Sequence, residues 1–97
     1  MIRHIAVFRW AEGTTAEQID AVAAGLRALP DQVPGIRSYE VGPDLRLGEG
    51  RWDFALAATF DDPAGYQAYV DHPAHQAVAQ DLIGPIKADR AHVQLEI

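Results

Sequence analysis

The chain has no cysteine, which excludes disulfides and thiolate metal sites and leaves the redox compartment open. It has no apolar run near the ~18 residues of a membrane span. Met1-Ile2-Arg3-His4 leads straight into an alternating pattern, without the long apolar core or small-residue cleavage site of a secretory leader. A cytoplasmic protein with no membrane partner is therefore expected. Positive charge is also scarce, eight Lys and Arg against fourteen Asp and Glu for a formal charge of −6. The basic residues are scattered, so there is no patch with which to bind phosphates, and no nucleic-acid partner is expected. Internal repeats, linkers and low-complexity segments are missing too. What remains is 97 residues, 48% hydrophobic, enough for one domain over residues 1–97 with a single modest core.

From Ile2 to Trp10 the residues alternate, with His4, Ala6, Phe8 and Trp10 on one face. Ile5 and Val7 lie on the other face, between Arg3 and Arg9. That is a strand with apolar material on both sides. Glu12-Gly13 breaks it, and the next residues offer two overlapping capping boxes, Thr14 with Glu17 and Thr15 with Gln18. Ile19, Val22, Ala23, Leu26 and Leu29 then fall at helical spacing, until Pro30 and the Pro34-Gly35 turn end the helix. Ile36 to Val41 makes a second strand that stops at Gly42-Pro43, and a charged connection from Asp44 to Arg51 follows.

The third strand runs from Trp52 to Phe60, with Phe54, Leu56, Ala58 and Phe60 on one face and Asp53, Ala55, Ala57 and Thr59 on the other. Asp62-Pro63 is an N-cap followed by a first-turn proline, opening a short helix that carries Tyr66, Tyr69 and Val70. His72 is the junction at which Pro73 opens a further helix, through Val78 and Leu82 to Gly84-Pro85. Last, Ala91, Val93, Leu95 and Ile97 alternate with His92, Gln94 and Glu96 in a strand.

The order β-α-β-β-α-β is the split βαβ pattern of an α+β, ferredoxin-like fold with a four-stranded antiparallel sheet. Its helices cover one sheet face only. Ile5, Val7, Ala55 and Ala57 lie on the opposite face, where water would meet a contiguous apolar patch. Another copy of the chain is the simplest cover, so a homodimer is expected.

The densest chemistry lies in Ala68 to His75, where Tyr69, His72 and His75 fall within seven residues around Pro73. A histidine one turn into a helix that proline has fixed can take or give a proton near pH 7 at a defined place. By strand parity His4 shares a face with Ala6 and Phe8, and Leu56 and Ala58 belong with them. Together these positions would line a cavity between sheet and helices suited to a small apolar or aromatic ligand. The same histidines would equally serve as helix caps, and Tyr69 as a core residue with a wet hydroxyl.

The opening Arg-His-Ile-Ala-Val-Phe-Arg-Trp, the Pro-Gly-Ile turn, the Asp-Phe-Ala-Leu strand and above all Tyr-Val-Asp-His-Pro-Ala-His resemble the stress-responsive A/B barrel (Dabb) family. The resemblance runs through nearly the whole chain and implies a dimeric α+β barrel, two sheets facing each other with helices outside. A plant member is a polyketide cyclase that closes its ring by aldol condensation without a metal. By the shared motif its catalytic Tyr and His fall on Tyr69 and His75, and its second pocket His on His4. The match departs at Val70-Asp71 and Gln76, where that cyclase is apolar. His72, Ala6, Phe8, Leu56 and Ala58 are the ligand-contact candidates.

Three functions stay open. The first is an enzyme with His75 as acid or base, Tyr69 polarising a carbonyl or enolate oxygen and His4 holding substrate. The second is a module that binds without turnover. The third is a structural or stress-associated dimer. The strand patterns, shared with antibiotic-biosynthesis monooxygenases, add a cofactor-independent monooxygenase-like role. No metal site is expected, since Pro73 separates His72 from His75 and no carboxylate completes a set. No haem or flavin motif is present, and no cofactor is expected.

Overall fold

Capping chemistry fixes where the helices begin. The Thr15 hydroxyl accepts the Gln18 N–H at 3.2 Å, and the Gln18 side chain accepts the Thr15 N–H at 2.9 Å. Of the two overlapping boxes this one forms, with Thr15 as the N-cap, and the Thr14 hydroxyl instead turns back to donate to the Ala11 carbonyl at 2.6 Å. The Asp62 carboxylate likewise accepts the Gly65 N–H at 2.9 Å, with Pro63 next to it in the first turn.

The computed structural model describes residues 1–97. The elements are β1 (Ile2–Trp10), α1 (Ala16–Arg27), α2 (Leu29–Gln32), β2 (Ser38–Pro43), β3 (Phe54–Phe60), α3 (Pro63–Asp71), α4 (Pro73–Val78), a π-helical turn (Ala79–Ile83) and β4 (Lys87–Glu96). The strands form one antiparallel sheet in the order β2-β3-β1-β4. This is the ferredoxin-like α+β fold expected from the element order.

Several boundaries differ from the sequence pattern. The first helix breaks at Ala28, and Pro30 lies inside the first turn of α2, where a missing N–H costs no helical bond. β2 starts two residues late, since Gly35 turns at a φ of +94° and the Arg37 N–H makes the first bond across to the Thr59 carbonyl. It ends on Pro43, tolerated because β2 is an edge strand. β3 starts at Phe54 because Asp53 is a tie to β1. Its N–H goes to the Phe8 carbonyl, and its carboxylate accepts the Trp10 N–H at 2.9 Å. The last helix gives way after Val78 to the π-turn, where the Gly84 N–H reaches the Ala79 carbonyl at 2.8 Å. A Cβ on Gly84 would come 3.0 Å from the Gln80 carbonyl oxygen.

Register decides which side chains meet the helices. On β1, His4 pairs with Ala58 and Gln94, Ala6 with Leu56 and His92, and Phe8 with Phe54 and Arg90. On this face Ala6, Phe8, Phe54, Leu56, Ala58 and Phe60 are buried against Val22, Leu26, Leu29, Tyr69 and Ile83 from the helical layer. Neither layer encloses β4, which is exposed at every position. The other face carries Ile5, Val7, Ala55, Ala57, Val93 and Leu95, and no helix covers it. Of the patch inferred from parity, Ala55 is exposed and Ile5, Val7 and Ala57 are half-buried, and Val93 and Leu95, 55% and 42% exposed, extend it on β4. No helix is long and apolar enough to cross a membrane.

Candidate functional site

The helical layer does not fill the space above β1. A cavity of about 110 Å³ remains between the sheet and the helices. Its wall brings together His4, Ala6, Phe8, Leu56, Tyr69 and His75. Two candidates are not brought to it. Ala58, although fully buried, lies off the wall, and so does His72. His72 Nδ1 accepts the Ala74 N–H at 3.0 Å, capping α4, so its ring is committed to the backbone rather than to a ligand.

Tyr69 and His75 stand on either side of this helix break with their ring centroids 4.4 Å apart. His75 Nδ1 lies 3.2 Å from the Val70 carbonyl. A carbonyl only accepts, so Nδ1 carries the proton and Nε2 holds the lone pair. Burial pushes the His75 pKa below the ordinary histidine value, with the Arg90 charge acting in the same direction against the bond to Val70. Neutral His75 is therefore a base at physiological pH.

His4 is only 7% exposed on β1. Burial pushes its pKa down to about 4, helped by His92, Arg90 and His75. The Gln94 amide donates to its Nδ1 at 2.9 Å, which leaves the proton of the neutral ring on Nε2 as a donor. The His4 ring centroid lies 4.9 Å from that of Tyr66 and 6.3 Å from that of Tyr69.

The Tyr69 hydroxyl is bonded at 2.7 Å to the Tyr39 hydroxyl. Burial pushes the Tyr69 pKa up to about 12, while Tyr39 pulls the other way by stabilising the phenolate. Burial and the same pairing push Tyr39 up further. Both phenols stay protonated, and when Tyr39 donates to Tyr69 the Tyr69 proton is free for a third group. Tyr39 is a partner of the candidate site that sequence reasoning missed. Its signal was its parity with Val41 on the helix-facing side of β2, paired with Ala58.

The wall also includes Tyr66, Val70, Lys87 and Arg90, none of which sequence reasoning had assigned to a site. No three His, Asp or Glu side chains converge as a ligating set anywhere in the chain. What the site assembles is a neutral imidazole base, a neutral imidazole donor and a phenol donor around one enclosed space.

Known proteins place the fold and the family. A dimeric ferredoxin-like protein of unknown function from Thermobifida fusca superposes with a TM-score of 0.91 at 43% identity, covering 99% of this chain and 90% of that one. A dimeric protein of unknown function from Bacteroides fragilis gives 0.88 at 29% identity, covering 99% and 95%. An uncharacterised protein of Streptomyces coelicolor is 32% identical over 79 residues, 79% of this chain and 81% of that one. The family model of the Stress Responsive A/B Barrel Domain, Dabb, matches residues 2–97, and this chain belongs to that family.

Proposed function

We propose that the protein is a homodimer in which each subunit's cavity takes a small apolar or aromatic carbonyl compound. There it moves a proton at the carbon beside the carbonyl, the step that begins aldol-type ring closure of a polyketide. The observation that carries this reading is the meeting of His75, Tyr69 and His4 on one cavity wall, each in the protonation state that its role requires.

In this mechanism His75 Nε2 takes the α-proton, and the electron pair moves to the carbonyl oxygen. The Tyr69 hydroxyl and His4 Nε2–H hydrogen-bond the enolate oxygen so formed. The enolate carbon then bonds to a second carbonyl of the same molecule, and the resulting alkoxide takes the proton back from the His75 imidazolium. Atoms and charge balance without metal or oxidant. The apolar wall of Ala6, Phe8 and Leu56 holds the folded chain.

The dimer is supported by the uncovered face carrying Ile5, Val7, Val93 and Leu95, and by the dimeric Thermobifida fusca relative.

Deuterium uptake into the methyl group of acetophenone in D₂O, followed by NMR, tests the chemistry. Wild-type protein should accelerate it above buffer. His75→Ala should remove most of that acceleration, general-base contributions being ~10²- to 10⁴-fold. Tyr69→Phe should lose rate with only a modest fall in melting temperature, because the ring still packs while the Tyr39 hydroxyl loses its partner. Exchange as fast with His75→Ala as with wild type would overturn the proton-transfer reading.

A further inference from the structure

We infer that the molecule taken up by the cavity is an anion, a small aromatic or short-chain carboxylate, whose charged group is received by Lys87 and Arg90 at the start of β4. This rests on the cavity reading above and adds to it the charge and the orientation of the ligand.

The chain carries a formal charge of −6, yet no Asp or Glu lines the cavity. Its polar wall is His4, His75, Lys87, Arg90 and two phenols. The basic side chains elsewhere are all engaged. Arg9, Arg37, Arg46 and Arg51 pair with Asp89, Asp61, Asp53 and Asp44. Arg3 donates to Thr59, and Arg27 to the Val41 carbonyl. Of the eight Lys and Arg side chains, Lys87 and Arg90 alone have neither an ion pair nor a hydrogen bond, and both are on the cavity wall.

Their placement comes from the backbone. Residues three apart on a regular strand point to opposite faces. Phe8 pairs with Arg90 and Arg9 with Asp89, but the register then shifts so that Trp10 pairs with Lys87. This bulge returns Lys87 to the face of Arg90, a re-aiming that bulges beside binding sites commonly perform. Two unpaired cations thus stand on one face of β4 and on the wall of one cavity. An anion there would gain charge-assisted hydrogen bonds. It would also offset the Arg90 charge that lowers the basicity of His4 and His75. At about 110 Å³ the enclosed volume is well below that of a site for a drug-sized ligand, so one ring or a short chain is the fitting scale.

NMR titration of the isotope-labelled full chain with benzoate and with benzamide, the same ring without the charge, tests the inference. Benzoate should bind the wild type about tenfold more tightly or better. The Lys87→Gln, Arg90→Gln double variant should bring benzoate down to the level of benzamide and leave benzamide unchanged. Arg90→Lys, which keeps the charge, should retain much of the preference. Both sites are exposed, so folding should survive. Equal affinities in the wild type, or a preference that survives the double variant, would overturn the anion inference and leave the cavity reading intact. If neither compound shifts the Ala6 and Leu56 resonances, the cavity reading falls and takes this inference with it.

Discussion

His4 couples the site to stability, and the coupling has a defined sign. Its folded pKa is about 4 against the ordinary 6.5, chiefly through burial. Between those values the unfolded chain binds a proton that the folded protein refuses, so stability is fully present above 6.5 and is lost as pH falls toward 4. The complete shift corresponds to about 3 kcal/mol, of which about 2 kcal/mol is lost between about pH 7.5 and about pH 5. His4 borders a cavity rather than close-packed core, so the effective dielectric around its ring exceeds that of a dry interior, which brings the expected loss to ~1–2 kcal/mol. His75, also lowered, adds to the slope in the same direction. Asp61, held down by Arg37, acts only below its ordinary 3.8 and stays outside this window. Urea denaturation across the window at fixed protein concentration should show the loss in the wild type and a shallower slope in His4→Gln. Parallel slopes in the two proteins, or a folded-state His4 imidazole that titrates near 6.5 by NMR, would refute the reasoning.

Val7→Asp places an unpaired charge on the uncovered apolar face, so sedimentation at micromolar concentration should move from twice the chain mass to the chain mass or show unfolding. A wild-type monomer there would remove the dimer outright. His72→Ala deletes the cap on the Ala74 N–H and should cost about 1 kcal/mol in stability, and acetophenone exchange should be slowed but not abolished, because the Val70 carbonyl is then less firmly kept for His75. Exchange abolished in a folded His72→Ala protein would instead put that ring on the substrate.

The fold was legible because the sheet is two-sided and each side has its own composition. The parity of β1 and β3 follows from residues that are buried on one face, and the cavity-facing set His4, Ala6, Phe8 and Leu56 came with it. The pattern failed where no layer imposes one. Lys87-Ala88-Asp89-Arg90 belongs to an exposed edge strand and has no apolar alternation, so β4 seemed to begin only at Ala91. Even with the strand assigned, parity would have sent Lys87 to the wrong face, because the bulge beside Trp10 leaves no mark in the sequence. Tyr39 was hidden for a related reason. Its partner is Tyr69, thirty positions away, and no local spacing encodes a bond across two layers.

The one local motif that did reveal the site works through its break. Residues six apart on a continuous helix lie about 240° around the axis and ~9 Å along it. In such a helix Tyr69 and His75 would face different ways. His72 instead takes an extended backbone, φ −66° and ψ 134°, and α4 restarts at Pro73 with a new phase that brings the two rings together. The break also redistributes hydrogen bonds. In a continuous helix the Val70 carbonyl would accept the Ala74 N–H. Here that N–H goes to His72 Nδ1, and the Val70 carbonyl takes His75 Nδ1. The capping histidine therefore acts on the second one without touching it. By occupying Ala74 it frees the carbonyl that fixes the His75 tautomer, and that tautomer puts the basic lone pair on Nε2. Tyr-x-x-His-Pro-x-His thus encodes a paired phenol and imidazole, the imidazole with a defined tautomer, and its first histidine has a structural reason to be there.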